Sequence, residues 1–198
     1  MEADYSVELG PDAPALELPW TDPEGRSQYV ELRGSGLTDC DLDRIVETQR
    51  FPALRRFLAD VNSQPSTWQT VKCDVWDDKT KSTENLYDAG FTRGCYVDLV
   101  LAEQAAALRG CLESHRQLAE EMVQKLEANE GLAALAEIVV RRCYFHRASD
   151  EESDAGYCLT LFLIGYGTSP DEATKCWERT LEFAAECLRR MRPREQSA

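Results

Sequence analysis

An α+β fold is what this sequence predicts, on three observations. Several short stretches alternate apolar and polar residues with a period of two, as half-buried strands do. Two longer stretches, within 103–127 and 170–191, repeat apolar residues at the 3.6-residue helical period. One stretch, "GYCLTLFLIGYG" (156–167), is apolar on both faces and reads as a strand in the middle of a sheet.

The elements follow in order. Residues 1–26 are acidic and rich in Pro and Gly, an N-terminal extension in which "YSVEL" can form an edge strand. "SQYVELR" (27–33) alternates, with Val30 and Leu32 on one side, and Gly34 and Gly36 end it. "LTDCDLDRIVETQ" has helical spacing at Leu42, Ile45 and Val46, with Asp residues in its first turn to suit the helix dipole. Pro52 then fits the first position of a further helix carrying Leu54, Phe57, Leu58 and Val61. "TWQTVKCDVWDD" (67–78) alternates again, Val71, Cys73 and Val75 against Lys72, Asp74 and Trp76. A polar connection (79–92) leads to the strand "GCYVDLVLA" (94–102).

The stripe Ala105, Leu108, Cys111, Leu112, His115, Leu118, Met122 and Leu126 predicts one helix over 103–127, with Gly110 inside it. "EIVVRRCYFHR" and "GYCLTLFLIGYG" are strands joined by the acidic loop "ASDEESDA". Ser169-Pro170-Asp171-Glu172 is a capping box with Pro at the first helical position, opening the last helix. The tail 193–198 reads as frayed.

The resulting order is β-α-β-β-α-β-β-α. Its first six elements match the βαββαβ pattern of a ferredoxin-like sandwich, with an appended strand and a C-terminal helix. A single α+β domain over 27–192 is the expected organisation.

Composition narrows the partners. The 198-residue chain has 36 acids against 22 bases, a net charge of −14. Such a surface repels phosphate backbones and anionic membranes, so neither nucleic acid nor membrane is an expected partner. The start lacks a basic region followed by an apolar run, and no apolar run reaches spanning length, which predicts a cytoplasmic protein. The eight cysteines contain no C-x-x-C, and in a reducing compartment most of them read as small hydrophobes of the core.

Four segments, "TVKCDVW" (70–76), "CYVDLV" (95–100), "VVRRCYFHR" (139–147) and "LIGYGTSPDEATKCWERTLEFA" (163–184), together resemble a group of uncharacterised bacterial proteins. The resemblance implies a bacterial cytoplasmic protein. It brings no substrate, cofactor or site residue.

Two constellations stand out. The first is the polar side of the sheet: Tyr29, Arg33, Lys72, Asp74, Trp76, Tyr96, Asp98, Arg142 and Tyr144 mix charges of both signs with large aromatics. This chemistry suits a protein–protein contact, with a partner protein or with a second copy. The second is the pairing of each histidine with a thiol. Cys111 and His115 are four apart on a helix, and Cys143 and His146 three apart on a strand, a Cys2His2 set of the kind that binds zinc. Against it, positions 143 and 146 point to opposite faces of a strand. Thiol catalysis lacks support too, because neither Cys111 nor Cys143 is expected to open a helix that would lower its pKa. No cofactor is therefore predicted, zinc being the alternative, and the favoured reading is a non-catalytic interaction module.

Overall fold

The computed structural model describes residues 1–21, 24–25, 29–32, 38–63, 66–78, 87–146 and 153–192. Arg33, the tail 193–198 and positions 149–152 of the acidic loop lie outside the described residues.

The fold is α+β, built on one sheet. Its strands are β1 (Glu2–Glu8), β2 (Leu16–Leu18), β3 (Trp68–Asp78), β4 (Phe91–Leu101), β5 (Ala134–His146) and β6 (Ser153–Gly167). The helices are α1 (Asp39–Asp43), α2 (Val46–Arg50), α3 (Pro52–Asn62), α4 (Leu112–Glu127) and α5 (Pro170–Arg190). Among the described residues the sheet has six strands in the order β1-β5-β6-β4-β3. β2 continues the edge that β1 begins, since both pair with β5 in parallel. The other pairs are antiparallel.

The ferredoxin-like expectation is corrected by this order. β6 is not an appendage to a four-stranded sheet but its central strand, hydrogen-bonded to β4 on one side and β5 on the other. The reason is its composition: Leu159, Leu161 and Leu163 turn to one face, Cys158 and Thr160 to the other, and all five are buried. A strand apolar on both faces needs cover on both sides. The first strand also shifts. Residues 29–32 form no strand, and the edge position is held by Glu2–Glu8 instead.

The helices gather on one face. The main core joins Cys95, Val97, Leu99 and Leu101 of β4 and Leu159, Leu161 and Leu163 of β6 to α3, α4 and α5. Trp177 of α5 is buried to 1% exposure, donates from Nε1 to the Cys95 sulfur at 3.3 Å and meets Phe51 edge-on at 5.7 Å. Burying a side chain of this size contributes roughly 3 kcal/mol. The approach of α5 is set by Gly165 and Gly167, where any Cβ would fall within 2.2 Å and 2.4 Å of the backbone of α5. Ser169 caps α5 by accepting from the Glu172 N–H, while the Glu172 carboxylate accepts from Thr168 rather than from Ser169.

The expected helix over 103–127 is divided. A 3₁₀ segment, Glu103–Leu108, is followed by a break, and α4 starts at Leu112 with Cys111 as its N-cap. At the break the Arg109 carbonyl accepts from the Tyr157 N–H of β6, and the Arg109 side chain donates to the Leu101 carbonyl. Tertiary hydrogen bonds thus override a helical pattern that local sequence favours. No helix among the described residues is long and apolar enough to cross a membrane.

Candidate functional site

The second face of the sheet carries no helix among the described residues, and its side chains fall into rows across the strands. One row runs Lys72, Asp98, Thr160, Val139, Ser6; the next runs Asp74, Tyr96, Phe162, Glu137, Asp4; a third runs Trp76, Gly94, Ile164, Leu135, Glu2. Each follows from the strand register, because directly paired residues share a face.

A β-bulge between Thr70 and Lys72 shapes this face. The extra residue turns Val71 to the second face, where it packs with Leu18, Val100, Cys143 and Cys158. The sequence pattern had placed Val71 with Cys73 and Val75 on the other side. Leu16, Trp20, Tyr29 and Phe145 lie on this small second core and cover one end of the face. Trp20 anchors there by donating from Nε1 to the Val71 carbonyl at 3.1 Å.

The middle of the polar row is internally satisfied, while the Ser6 hydroxyl at its end is buried without a hydrogen-bond partner among the described residues. Thr160 donates its hydroxyl to Asp98 Oδ1 at 2.5 Å, and Asp98 is 6% exposed. Burial pushes the Asp98 carboxyl above its ordinary value, opposed by the Thr160 hydrogen bond and by the charges of Lys72 and Arg141. Arg141 bonds Glu8 at 3.1 Å and lies over the Phe162 ring at 5.5 Å. The Lys72 ammonium sits over Trp20 at 4.9 Å and Tyr96 at 6.0 Å. Burial, then the carboxylates of Asp98 and Asp74, push the Tyr96 hydroxyl up to about 12, so it stays a phenol at neutral pH.

Beside these groups the face presents rings. Tyr96 and Phe162 are half-buried with centroids 6.2 Å apart. Trp76 lies across Gly94, where an added Cβ would come within 2.6 Å of the indole. Gly94 is therefore the slot that lets Trp76 lie flat.

Of the residues expected at this surface, Lys72, Asp74, Trp76, Tyr96 and Asp98 come together. Tyr29 is adjacent, donating to Glu31 and accepting from Gln69. Arg142 and Tyr144 do not belong. They pair with Tyr157 and Ala155 on the helix side of the sheet, and Arg141 occupies the face in place of Arg142. The alternation misleads here because Ile138, Val139 and Val140 are all buried, so neither parity marks the polar side. Phe162, Thr160 and Arg141 were missed for the same reason: β6 and the middle of β5 carry apolar residues at both parities, so neither marks the outer face.

The Cys2His2 set is not assembled. His115 is fully buried on α4, its Nδ1 paired with the Cys111 carbonyl at 2.9 Å, and desolvation lowers its pKa so that the ring stays neutral. Cys143 lies on the opposite side of the sheet, against Cys158. His146 is at the end of β5 beside Glu17, at 3.3 Å. Among the described residues no group of three or more His, Cys, Asp or Glu side chains is placed to hold a metal ion.

Cys111 corrects a different expectation. As the N-cap of α4 it accepts a hydrogen bond from the Ser114 hydroxyl at 3.1 Å, and this bond with the Ser114 and Glu113 amides pulls its thiol below the ordinary value.

No family model, curated protein or solved structure matches this chain. The site is therefore read on its own geometry.

Proposed function

We propose that the chain is a non-catalytic interaction module that binds protein through the helix-free sheet face, in the first instance a second copy of itself. The carrying observation is the ring surface of Trp76, Tyr96 and Phe162, set on a rigid sheet with no helix over it among the described residues. Tyr and Trp bury much area at little entropic cost and act as anchors in protein contacts. Two of the neighbouring charges support the reading because they are already held within the chain: Asp98 accepts from Thr160, and Arg141 pairs with Glu8. A partner covering the rings leaves Asp98 and Arg141 these contacts, with the Lys72 ammonium held over Trp20 and Tyr96. The bacterial, cytoplasmic setting implied by the sequence resemblance belongs to the same reading.

The test is light scattering after gel filtration, on the chain and on Trp76→Ala/Tyr96→Ala. A dimer that becomes monomeric in the variant, with unchanged circular dichroism, supports self-association through this face. A parent chain that is monomeric at high micromolar concentration removes the second copy as partner. A dimer that survives the double substitution removes the face.

A further inference from the structure

The outer edge of β3 is capped at two points. Trp20 takes the Val71 carbonyl at 3.1 Å, and the Asp74 carboxylate takes the Val75 N–H at 2.7 Å. Alternate residues of an antiparallel edge strand turn both backbone groups outward. Cys73, between the two caps, therefore presents its N–H and C=O at the edge, and no described residue pairs with them.

Beside Cys73 lies a cavity of about 200 Å³. Its walls are apolar: Val30, Leu32, Ile45, Val46, Leu58 and Val71. Val46, 64% exposed, stands at its rim and is the more exposed of the two large hydrophobics open to solvent among the described residues. Trp20 closes one side. The charged lining is Arg44, Lys72 and Glu47, two cations to one anion on a chain of net charge −14. No described carboxylate lies within ion-pair distance of the Lys72 ammonium.

The length of open edge decides what fits. From Val71 to Val75 the strand spans only about 13 Å. A partner strand running along β3 would meet the Trp20 indole at one end and the Asp74 carboxylate at the other. A chain end meets neither. We infer that this cavity binds the C-terminal residue of a partner polypeptide, with an apolar side chain among Ile45, Val46 and Leu58, its backbone on Cys73 and its free carboxylate against Lys72 and Arg44. This uses the edge-strand and side-pocket mode of peptide recognition, with charge complementarity at the terminus. It is independent of self-association through the sheet face, which the Trp76→Ala/Tyr96→Ala variant tests separately.

The experiment is calorimetric titration of the full chain with the peptide Ac-Gly-Gly-Ser-Val as free acid, with its C-terminal amide, and with isovalerate. The expected result is binding of the acid, with the amide weaker by about tenfold or more. Isovalerate, which lacks the backbone that pairs with Cys73, binds more weakly than the peptide acid. Lys72→Met is expected to abolish the preference for acid over amide, and Val46→Asp, at an exposed position, to weaken the acid without loss of helical circular dichroism. Equal affinity for acid and amide, or a preference that survives Lys72→Met, overturns the proposal. So does the absence of heat with either peptide at millimolar concentration. Isovalerate binding as tightly as the peptide overturns the chain-end assignment in favour of a small free acid.

Discussion

Thr160 holds the buried carboxylate of Asp98 across the β4–β6 pair, hydroxyl to Oδ1, at 2.5 Å. One hydrogen bond and two neighbouring cations do not fully replace water, so burial leaves the carboxyl harder to ionise than in the unfolded chain. A folded pKa above the unfolded one means stability that is complete when the group is protonated and is lost as pH rises through the folded pKa. Asp98→Asn keeps an acceptor for Thr160 and removes the charge. The variant is expected to gain stability relative to the parent as pH rises from acid to neutral, read as the difference between their denaturation midpoints across that range. A difference that runs the other way would show that Lys72 and Arg141 outweigh burial.

Two glycines in the sheet give opposite outcomes on substitution by alanine. At Gly94 the obstacle is the Trp76 indole, 2.6 Å from an added Cβ, and a side chain at the sheet edge can swing away. Gly94→Ala should fold, at a cost of about 1–3 kcal/mol, with Trp76 displaced and tryptophan emission changed. At Gly165 the obstacle is the backbone of α5, with the Trp177 nitrogen at 2.2 Å. The helix would have to lift from the sheet, so Gly165→Ala should lose more than about 3 kcal/mol or fail to fold. Thermal melts of the two variants side by side check the contrast.

The thiols should separate by environment. Cys95 is fully buried and pushed up to about 12, and burial raises Cys73 and Cys187 as well. Cys111 is half-buried and shifted the other way. Native-state alkylation with iodoacetamide near neutral pH is therefore expected at Cys111 before Cys73, Cys95 and Cys187, by peptide mass mapping. Ser114→Ala, which removes the hydroxyl donor to the sulfur, should slow the Cys111 reaction several-fold. An unchanged rate would assign the reactivity to exposure alone.

Where one face met solvent, the sequence was easily read. The alternation of Lys72, Asp74 and Trp76 against Cys73 and Val75 separated the two faces of β3 from residue 72 onward, though not at Val71. The two-sided apolar run of β6 marked a central strand, and Pro52 and Ser169 marked helix starts where they occur. What stayed hidden depended on partners distant in the chain. The edge strand read at "YSVEL" reaches back to Glu2 because β5 offers it an edge 133 positions away at Glu2↔Leu135. Arg141 and Arg142 are adjacent in sequence, and only the register with β6 decides which reaches the second face. The break before Cys111 depends on the Arg109 carbonyl accepting from Tyr157, a bond no helical periodicity encodes.

The Asp74 cap on β3 has a counterpart on the opposite margin of the sheet, where the Asp4 carboxylate takes the N–H of Tyr5 in β1 at 2.7 Å. A sheet with one open margin can at most join a twin, whereas one open at both can add units without end and grow into a fibre. Here each margin holds a carboxylate where the next strand would dock. Growth in the plane of the sheet is thus opposed at both ends.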